Sequence, residues 1–208
     1  MEPSAASKFA WSRYGQHGVL LEFDSPESTL QAYRACRGGP FDECVPGART
    51  LYVEAGGRSA PELSNIVAQL LEDPPSAADD ASIRTHIFEV RYDGEDLDNV
   101  ATLTGLSVEE VIRRHSQVVY TVAFLGFSRS FPYLAGLDPS IVVPRLPVPR
   151  TSVPAGSVAM GAGYTGIYPM SSPGGWQLLG RTDAVMFDPA NDPPSALATG
   201  DFVRFARV

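Results

Sequence analysis

Lysine is almost missing from this chain of 208 residues: Lys8 is its single lysine, and the rest of its 16 basic residues are arginines. Acidic residues number 24, which leaves a formal net charge of −8 at pH 7. Nucleic acids and anionic membranes are bound through clustered cations. The shortage of positive charge therefore argues against both nucleic acid and membrane surfaces as partners.

Cysteine, histidine and long apolar runs are scarce as well. Cys36 and Cys44 show neither C-x-x-C spacing nor a paired histidine motif, so we expect no metal site in this chain. No run of about 18 apolar residues is present, and the first residues lack the charged and apolar regions of a secretion signal. These absences predict a cytoplasmic protein without a membrane-spanning helix.

The first part of the chain alternates between strand-like and helix-like patterns. Strands are predicted at 9–23, 48–55 and 85–92, and helices at 26–36 and 61–71. Ser25 and Pro26 are typical of an N-cap and a first helical residue, and the run DPPSAADDAS at 73–82 is typical of a polar linker. This order of strands and helices predicts a small α+β domain of ferredoxin-like type over residues 1–88.

The second part, from residue 89 onward, has a different pattern. Two short helices are predicted at Leu97–Leu103 and Val108–Arg114, the second with Ser107 as its N-cap. Strand-like stretches separated by glycine and proline then follow from Val118 onward. Closing such strands into a barrel leaves few unpaired edges, so we predict a β-barrel domain over residues 89–208.

The residues from Pro144 to Thr182 form a Gly/Pro-rich segment, in which six prolines and seven glycines alternate with apolar residues. Disordered segments lack such apolar residues, so the pattern predicts short strands joined by tight turns. Gly161, Gly163 and Gly166 spell G-x-G-x-x-G, but the prolines that follow cannot form the helix of a dinucleotide site. We interpret these glycines as turn residues.

Residues 97–116 have the spacing of a helix-turn-helix, with Gly105 at the turn. A DNA-binding protein would place residues that contact phosphates or bases at the start of the second helix. This chain has Glu109 and Glu110 there, which phosphates repel, so a packed helical hairpin is favoured. The motifs G-x-S-x-G, H-E-x-x-H and Walker A are absent too, and the residues alone indicate no complete catalytic mechanism.

Five stretches of the sequence together resemble one family. They are GLSVEEVIRRHS, FLGFSRSFPYLAGLD, VPRLPVPRTSVPAGSVA, TGIYPMSSPGGWQLLGRT and LATGDFVRF. This series is similar to the allophanate hydrolase subunit 1 proteins, also described as carboxyltransferase domain, subdomain C and D. The family includes the B-type component of bacterial ATP-dependent 5-oxoprolinase and the Kip-type inhibitors of sporulation histidine kinases.

The resemblance implies a cyclophilin-like β-barrel over residues 89–208 and a partner of related fold, the subunit 2 or C-type protein. It further implies a third oxoprolinase subunit, ATP as a cofactor used through the complex, and hydrolysis of an amide ring such as 5-oxoproline or of an allophanate-like substrate. We therefore expect a non-autonomous, B-type hydrolase subunit. The alternative is a Kip-type inhibitor of a histidine kinase, which would dock through apolar residues at 127–134.

The candidate site residues lie mostly in the Gly/Pro-rich segment. Arg145, Arg150 and Arg181 are expected to clamp a substrate carboxylate, which guanidinium groups bind in two-pronged fashion; a surface salt bridge would also explain each of them. His115 is the expected proton carrier, and its place at a helix end also suits a simple dipole interaction. The remaining candidates are Tyr164, Thr165 and Tyr168 for the substrate, and the backbone of Gly161, Gly163, Gly166, Gly174 and Gly175 for an anion.

Three departures from the family pattern bear on the substrate. Phe127-Ser128-Arg129-Ser130-Phe131 stands where the family has Phe-Leu-Pro-Gly-Phe, Ala135 where it has Gly, and Tyr164 where it has Gln. The loss of a glycine can exclude a left-handed backbone conformation. A phenol also offers a ligand different hydrogen bonds from those of an amide. We expect any difference in substrate to show at Tyr164.

Overall fold

A computed structural model of the chain describes residues 8–74 and 83–208, which form two compact units divided between residues 82 and 83. Most of the predicted linker at 73–82 lies outside the described residues. No helix within these residues is long and apolar enough to span a membrane. In the same part of the chain, no group of three or more His, Cys, Asp or Glu side chains is arranged to hold a metal ion.

The first unit is an antiparallel sheet packed against two helices. Its elements are β1 (Ala10–Tyr14), β2 (Gly18–Glu22), α1 (Pro26–Cys36), β3 (Glu43–Pro46), β4 (Thr50–Glu54) and α2 (Ala60–Glu72). The strand order is β1-β2-β4-β3. Alternate residues of a strand point to the same face, and the core accordingly contains Val19, Leu21, Leu51 and Val53, together with Leu63 and Val67 of α2.

Both helices of this unit begin with side-chain caps. The Ser25 hydroxyl accepts a hydrogen bond from the Ser28 N–H at 3.1 Å, which confirms the predicted N-cap of α1. At the start of α2, the Glu62 carboxylate accepts a hydrogen bond from the Ser59 N–H at 2.7 Å. Such caps satisfy N–H groups that have no partner inside a helix.

The predicted ferredoxin-like topology of the first unit is not confirmed. The strand predicted at 85–92 belongs to the second unit, where β5 (Thr85–Val90) pairs in parallel with β13 (Phe202–Arg207). The division between the units therefore falls ahead of the predicted boundary at residue 88. The first sheet consists of the hairpins β1-β2 and β3-β4 instead. An alternating pattern identifies a strand, but it carries no information about a partner so distant in the sequence.

The second unit is a seven-stranded sheet that curves almost into a closed barrel. Its other elements are α3 (Leu97–Thr104), α4 (Val108–Ser116), β6 (Tyr120–Gly126), β7 (Phe131–Ala135), a 3-10 turn (Pro139–Ile141), β8 (Arg150–Val153), β9 (Ser157–Gly161), β10 (Tyr164–Ile167), β11 (Ser172–Gly174) and β12 (Gln177–Arg181). The strand order is β12-β9-β10-β7-β6-β13-β5, while β8 and β11 pair separately. Helices α3 and α4 confirm the two that were predicted, and each is slightly longer than expected.

The two ends of this sheet meet at one point, which we call the barrel seam. Arg91, just after β5, and Arg181, at the end of β12, each donate their backbone N–H to the carbonyl oxygen of the other at 2.9 Å. Gly180 makes this approach possible, because a Cβ there would collide with the Arg91 carbonyl oxygen. The sheet is therefore nearly closed, as a barrel requires.

Apolar side chains of the sheet fill the barrel interior, including Val90, Val122, Leu134, Val158, Met160, Ile167, Leu179 and Val203. Helices α3 and α4 pack against the same core through Leu97, Val100, Val111 and Ile112. Small barrels are commonly packed with side chains in this way. A candidate site in this unit has to be sought on the outer surface.

Candidate functional site

A small cleft opens at the surface of the second unit, and we call it the aromatic cleft. Its volume is about 60 Å³. It is lined by Phe127, Phe131, Tyr133, Arg145, Tyr168, Gly174, Gly175 and Trp176. The first three come from β7 and the turn that precedes it, and the others belong to the Gly/Pro-rich segment. This segment therefore contributes most of the lining.

Phe131 is the centre of the cleft wall. Its side chain is 2% exposed and makes edge-to-face ring contacts with Tyr133, Tyr168 and Trp176 at centroid distances of 5.3, 5.0 and 5.1 Å. Aromatic pairs of this geometry contribute about 0.5–1.5 kcal/mol each beyond the burial of their area. Tyr168 and Trp176 belong to a buried cluster as well as to the cleft. The wall is therefore an apolar surface held in place by its own packing.

Three of the predicted glycines give this wall its shape. A Cβ at Gly174 would collide with the Tyr168 phenol, and a Cβ at Gly161 would lie 2.8 Å from the Trp176 indole. Gly175 lines the cleft, and its carbonyl oxygen accepts a hydrogen bond from the backbone of the neighbouring loop. Larger residues at Gly174 or Gly161 would displace the aromatic rings.

The segment 161–166, which contains three of the predicted glycines, forms the turn of a β-hairpin. Ala162 and Gly163 have positive φ angles of 54° and 82°, which suit a two-residue hairpin turn between β9 and β10. Gly166 lies in β10, where a Cβ would be 2.5 Å from the Pro132 carbonyl oxygen. In the β9–β10 ladder Gly161 lies opposite Tyr164 and Gly166 opposite Ala159, so the geometry does not support the anion-binding nest predicted for this stretch. The interpretation of these glycines as turn residues agrees with the structure at Gly163.

Among the residues that the structure describes, Arg145 is the one cation that lines the aromatic cleft. Its guanidinium lies over the Trp176 ring, with 5.9 Å between Cζ and the ring centroid, in a cation–π contact. No ion pair involves Arg145 within residues 8–74 and 83–208. Its charge is therefore available to an anionic ligand.

Arg150 has a different environment. It is largely buried and contacts the carboxylates of Asp96 at 2.8 Å and Glu95 at 3.3 Å. Asp96 is itself buried and also accepts a hydrogen bond from the Leu178 N–H at 2.6 Å. The hydrogen bond to Asp96 raises the pKa of Arg150. Arg150 thus joins β8 to the turn before α3 and has two carboxylate partners, while its buried Nη1 has no hydrogen-bond partner among the described residues.

Arg181 lies at the barrel seam, beside a surface groove of about 230 Å³. It pairs with Asp93 at 2.8 Å, and Arg91 of the same groove pairs with Asp183 at 2.7 Å. The three arginines predicted to form one clamp therefore stand in three different places. The clamp stays a prediction: Arg150 and Arg181 have acidic partners among the described residues, whereas Arg145 over Trp176 has none there.

His115 and Thr165 lie in the barrel interior and are fully buried. The Thr165 hydroxyl donates to the Ala159 carbonyl oxygen at 2.9 Å, so it accepts from His115 Nε2 at 2.8 Å, and His115 Nδ1 accepts from the Tyr92 hydroxyl at 2.8 Å. Burial lowers the pKa of His115 to about 3. A neutral, fully hydrogen-bonded imidazole does not carry protons near neutral pH. The catalytic role of His115 and the substrate role of Thr165 stay predictions, which this geometry does not support.

Tyr164 supports the cleft from behind its wall. Its half-buried ring makes edge-to-face contacts with Tyr133 at 5.6 Å and with Phe124 at 5.9 Å. Tyr133 lines the cleft, whereas Tyr164 does not. The structure shows Tyr164 contributing to the placement of Tyr133, and its contact with substrate stays a prediction.

The turn between β6 and β7 contributes more to the site than was expected. Phe127, which is 66% exposed, lines the cleft and contacts the Phe131 ring at 5.7 Å. Phe127 and Ser130 have positive φ angles of 61° and 63°, a conformation that favours glycine. The family glycine of Phe-Leu-Pro-Gly-Phe corresponds to Ser130. This departure from the family pattern was the sequence signal for the unusual backbone of the turn. Ala135, the other position with a family glycine, is extended in β7 and shows no such strain.

The apolar stretch 127–134, considered as a docking surface for a kinase, is largely buried. Phe131, Pro132 and Leu134 are buried, and Phe127 is the exposed large apolar residue of the stretch. A docking surface requires a contiguous exposed patch. The structure therefore gives little support to the inhibitor hypothesis.

Neither the aromatic cleft nor the groove at the barrel seam has the features of a triphosphate site. Triphosphates are bound by several cations or by a run of free backbone N–H groups. The aromatic cleft offers Arg145 alone in about 60 Å³, and the arginines of the seam groove already have aspartate partners. The ATP implied by the family resemblance therefore stays an expectation, which these two grooves do not support.

Comparison with known proteins agrees with the sequence resemblance. Residues 9–197 match the family described as carboxyltransferase domain, subdomain C and D. The chain is 52% identical to the B-type component of the 5-oxoprolinase of Escherichia coli O157:H7, in an alignment that covers 92% of each chain. The chain belongs to the carboxyltransferase domain, subdomain C and D family.

Two solved structures share the fold. TTHA0988 is 37% identical with a TM-score of 0.75, and the match covers 92% of this chain and 40% of that one. The K. lactis urea amidolyase is 18% identical with a TM-score of 0.73, and the match covers 100% of this chain and 15% of that one. This second likeness concerns the fold alone. In both proteins, the region that matches this chain is one part of a longer polypeptide.

Proposed function

We propose that this chain is the B-type subunit of an ATP-dependent 5-oxoprolinase, a hydrolase that opens the lactam ring of 5-oxoproline to glutamate. The observation that carries the proposal is the 52% identity, over 92% of both chains, with the B-type component of the Escherichia coli 5-oxoprolinase. Its partners in the proposed complex are the C-type subunit 2 protein and a third oxoprolinase subunit. Relatives of known structure in which this region belongs to a longer chain support a role as part of a larger assembly.

The aromatic cleft suits the two chemical parts of 5-oxoproline. The Arg145 guanidinium would bind the carboxylate, and the ring would lie against the apolar wall around Phe131 and Trp176. A typical ligand pocket has a volume of about 300–1,000 Å³, whereas this cleft has about 60 Å³. We infer that the cleft forms one wall of the site and that the C-type subunit supplies the other.

The chemistry of ring opening requires proton transfer and stabilisation of an oxyanion. Burial raises the pKa of Tyr133 and Tyr168, so both hydroxyls stay protonated at neutral pH. In this proposal the chain binds and orients the substrate and excludes water from one side. The partner subunits provide the proton-transfer groups and the ATP site.

Reconstitution tests this proposal. The three purified subunits, mixed with ATP and 5-oxoproline, should release glutamate, and omission of this chain or of ATP should abolish the release. Copurification of this chain with the C-type subunit, followed by mass measurement, should show a stable complex. A complete mixture of folded subunits that releases no glutamate would contradict the proposal.

A further inference from the structure

We infer that Asn99 and Gln177 are positioning residues, which together hold the Arg145 guanidinium over Trp176 so that it can receive a carboxylate. The identity of that carboxylate as 5-oxoproline rests on the proposed function. The positions of Asn99, Gln177 and Arg145 are independent of it. An arginine side chain loses much rotamer entropy when it is held in place, and a binding group has to be held within about 0.5 Å of its working position. An exposed arginine therefore needs a fixed backbone beneath it.

The backbone is fixed on both sides of Arg145. Before it, the Pro144 carbonyl oxygen accepts a hydrogen bond from Gln177 Nε2 at 2.9 Å. After it, the Leu146 N–H donates to the Gly175 carbonyl oxygen at 2.7 Å. The prolines of this loop have no N–H and cannot take part in a regular strand ladder. The two hydrogen bonds therefore tie the loop to the stretch that carries the cleft tryptophan.

Asn99 holds the other end of the Gln177 amide. Gln177 is 2% exposed, and its Oε1 accepts a hydrogen bond from Asn99 Nδ2 at 3.0 Å. With its oxygen directed at Asn99, Gln177 presents its nitrogen to the Pro144 carbonyl. Asn99 is exposed on α3, so its substitution alters this pair of amides without a cavity in the core.

An Asn99→Asp substitution tests this arrangement. An aspartate only accepts hydrogen bonds, so the Gln177 amide would rotate to donate to it. Its oxygen would then face the Pro144 carbonyl oxygen, and the hydrogen bond that precedes Arg145 would be lost. Asp98→Asn is the matched control, because it alters the charge at a neighbouring exposed position of the same helix.

Trp176 reports the position of Arg145 without any ligand. The chain has two tryptophans, and a Trp11→Phe background leaves Trp176 as the only one. In that background we expect acrylamide to quench Trp176 fluorescence faster in Asn99→Asp and in Arg145→Gln, because the guanidinium no longer covers the ring. The Asp98→Asn control should quench at the parental rate.

Kinetics of the reconstituted complex provide the second measurement. Asn99→Asp should raise KM for 5-oxoproline about tenfold with little change in kcat, which is the effect of losing about one hydrogen bond to a charged binding group. A purely structural role for Gln177 would lower the melting temperature and leave KM and the quenching rate unchanged.

The outcomes separate the positioning inference from the proposed function. Parental quenching in Asn99→Asp with faster quenching in Arg145→Gln overturns the inference and leaves the proposed function intact. Parental quenching in Arg145→Gln overturns it as well, since the guanidinium then does not cover Trp176. Faster quenching in both variants supports the positioning role, and unchanged ring opening in those variants would then count against Arg145 as the carboxylate ligand.

Discussion

The aromatic cleft and the barrel interior both contain residues of the Gly/Pro-rich segment. They differ in whether their polar groups have partners within the chain. In the interior, His115 and Thr165 direct their hydrogen-bonding groups to partners within the chain. In the cleft, Arg145 lies over an aromatic ring, and no ion pair engages it within the described residues. A buried polar group with all its partners stabilises the fold, whereas an open charge can bind a ligand.

Arg150 comes from the same segment as Arg145 but is paired with carboxylates, although its buried Nη1 has no hydrogen-bond partner among the described residues. Its guanidinium contacts Asp96 and Glu95, and its side chain is mostly buried. The residue type alone therefore does not distinguish a structural arginine from a binding one. The presence or absence of a carboxylate partner distinguishes a structural arginine from a binding one, and variants of the two arginines test this difference.

The largest expected effect is on stability. Arg150→Met should lower the free energy of unfolding by about 3 kcal/mol, because it leaves the buried Asp96 carboxylate without a counter-charge. Arg145→Met should change it by less than about 0.5 kcal/mol, since that side chain is exposed. Urea denaturation of both variants measures the difference. Equal losses in the two variants would remove the distinction between the two arginines.

The next effect is on binding. Arg145→Gln should weaken the interaction with 5-oxoproline about 10-fold to 100-fold, because a charged hydrogen-bond donor contributes about 1.5–3 kcal/mol. Arg181→Gln, at the barrel seam, should stay within about twofold, since its charge is already paired with Asp93. KM values of the reconstituted complex measure both. A larger effect at Arg181 would place the carboxylate site at the seam.

The pH dependence of stability tests the interior. Burial lowers the pKa of His115 to about 3, below its ordinary value of 6.5. The unfolded chain therefore binds the proton more readily, and stability that is present above pH 6.5 is lost as the pH falls towards 3. This group should account for a loss of about 1 kcal/mol between pH 7 and pH 5.5.

His115→Gln serves as the comparison for that measurement. Chemical denaturation at both pH values should show a shallower pH dependence in the variant than in the unchanged chain. The guanidinium of the cleft stays charged throughout this range and contributes nothing to the slope. Identical slopes in the two proteins would mean that His115 is not held neutral by burial.

The smallest effect concerns the turn that carries Phe127 to the cleft. Ser130 has a φ angle of 63°, so Ser130→Gly should stabilise the chain by about 0.5 kcal/mol, the balance of relieved strain and lost glycine entropy. Ser130→Ala keeps the Cβ and should show no gain. Thermal unfolding of both variants makes the comparison. A gain in the alanine variant would trace the effect to the hydroxyl instead of the backbone.

Sequence reasoning predicted the parts of this structure that depend on neighbouring residues. The N-caps at Ser25 and Ser107 and the helices after them follow from local hydrogen bonds, and the glycine signature of the Gly/Pro-rich segment predicted short strands. The partner of β5 was missed because it lies at residues 202–207. The family resemblance identified the cleft-bearing segment, but it did not separate its three arginines.

That separation required contacts that no pattern in the sequence reveals. Asp96 lies 54 residues from Arg150, and their hydrogen bond depends on the path of the whole barrel. The burial of His115 depends equally on β10 and β13, which pack around it. Ser130 is the exception, because its departure from the family glycine pointed to the strained turn.

The parallel pairing of β5 with β13 has a consequence for the synthesis of the protein. The strands and helices described for the first unit are complete once residue 72 has emerged from the ribosome. In the second unit, β13 lies between β5 and β6, so β5 has no ladder partner until residues 202–207 are made. Such distant contacts form slowly and leave a strand edge exposed meanwhile. β5 would therefore be unpaired and accessible to chaperones from its own synthesis until the chain is almost complete.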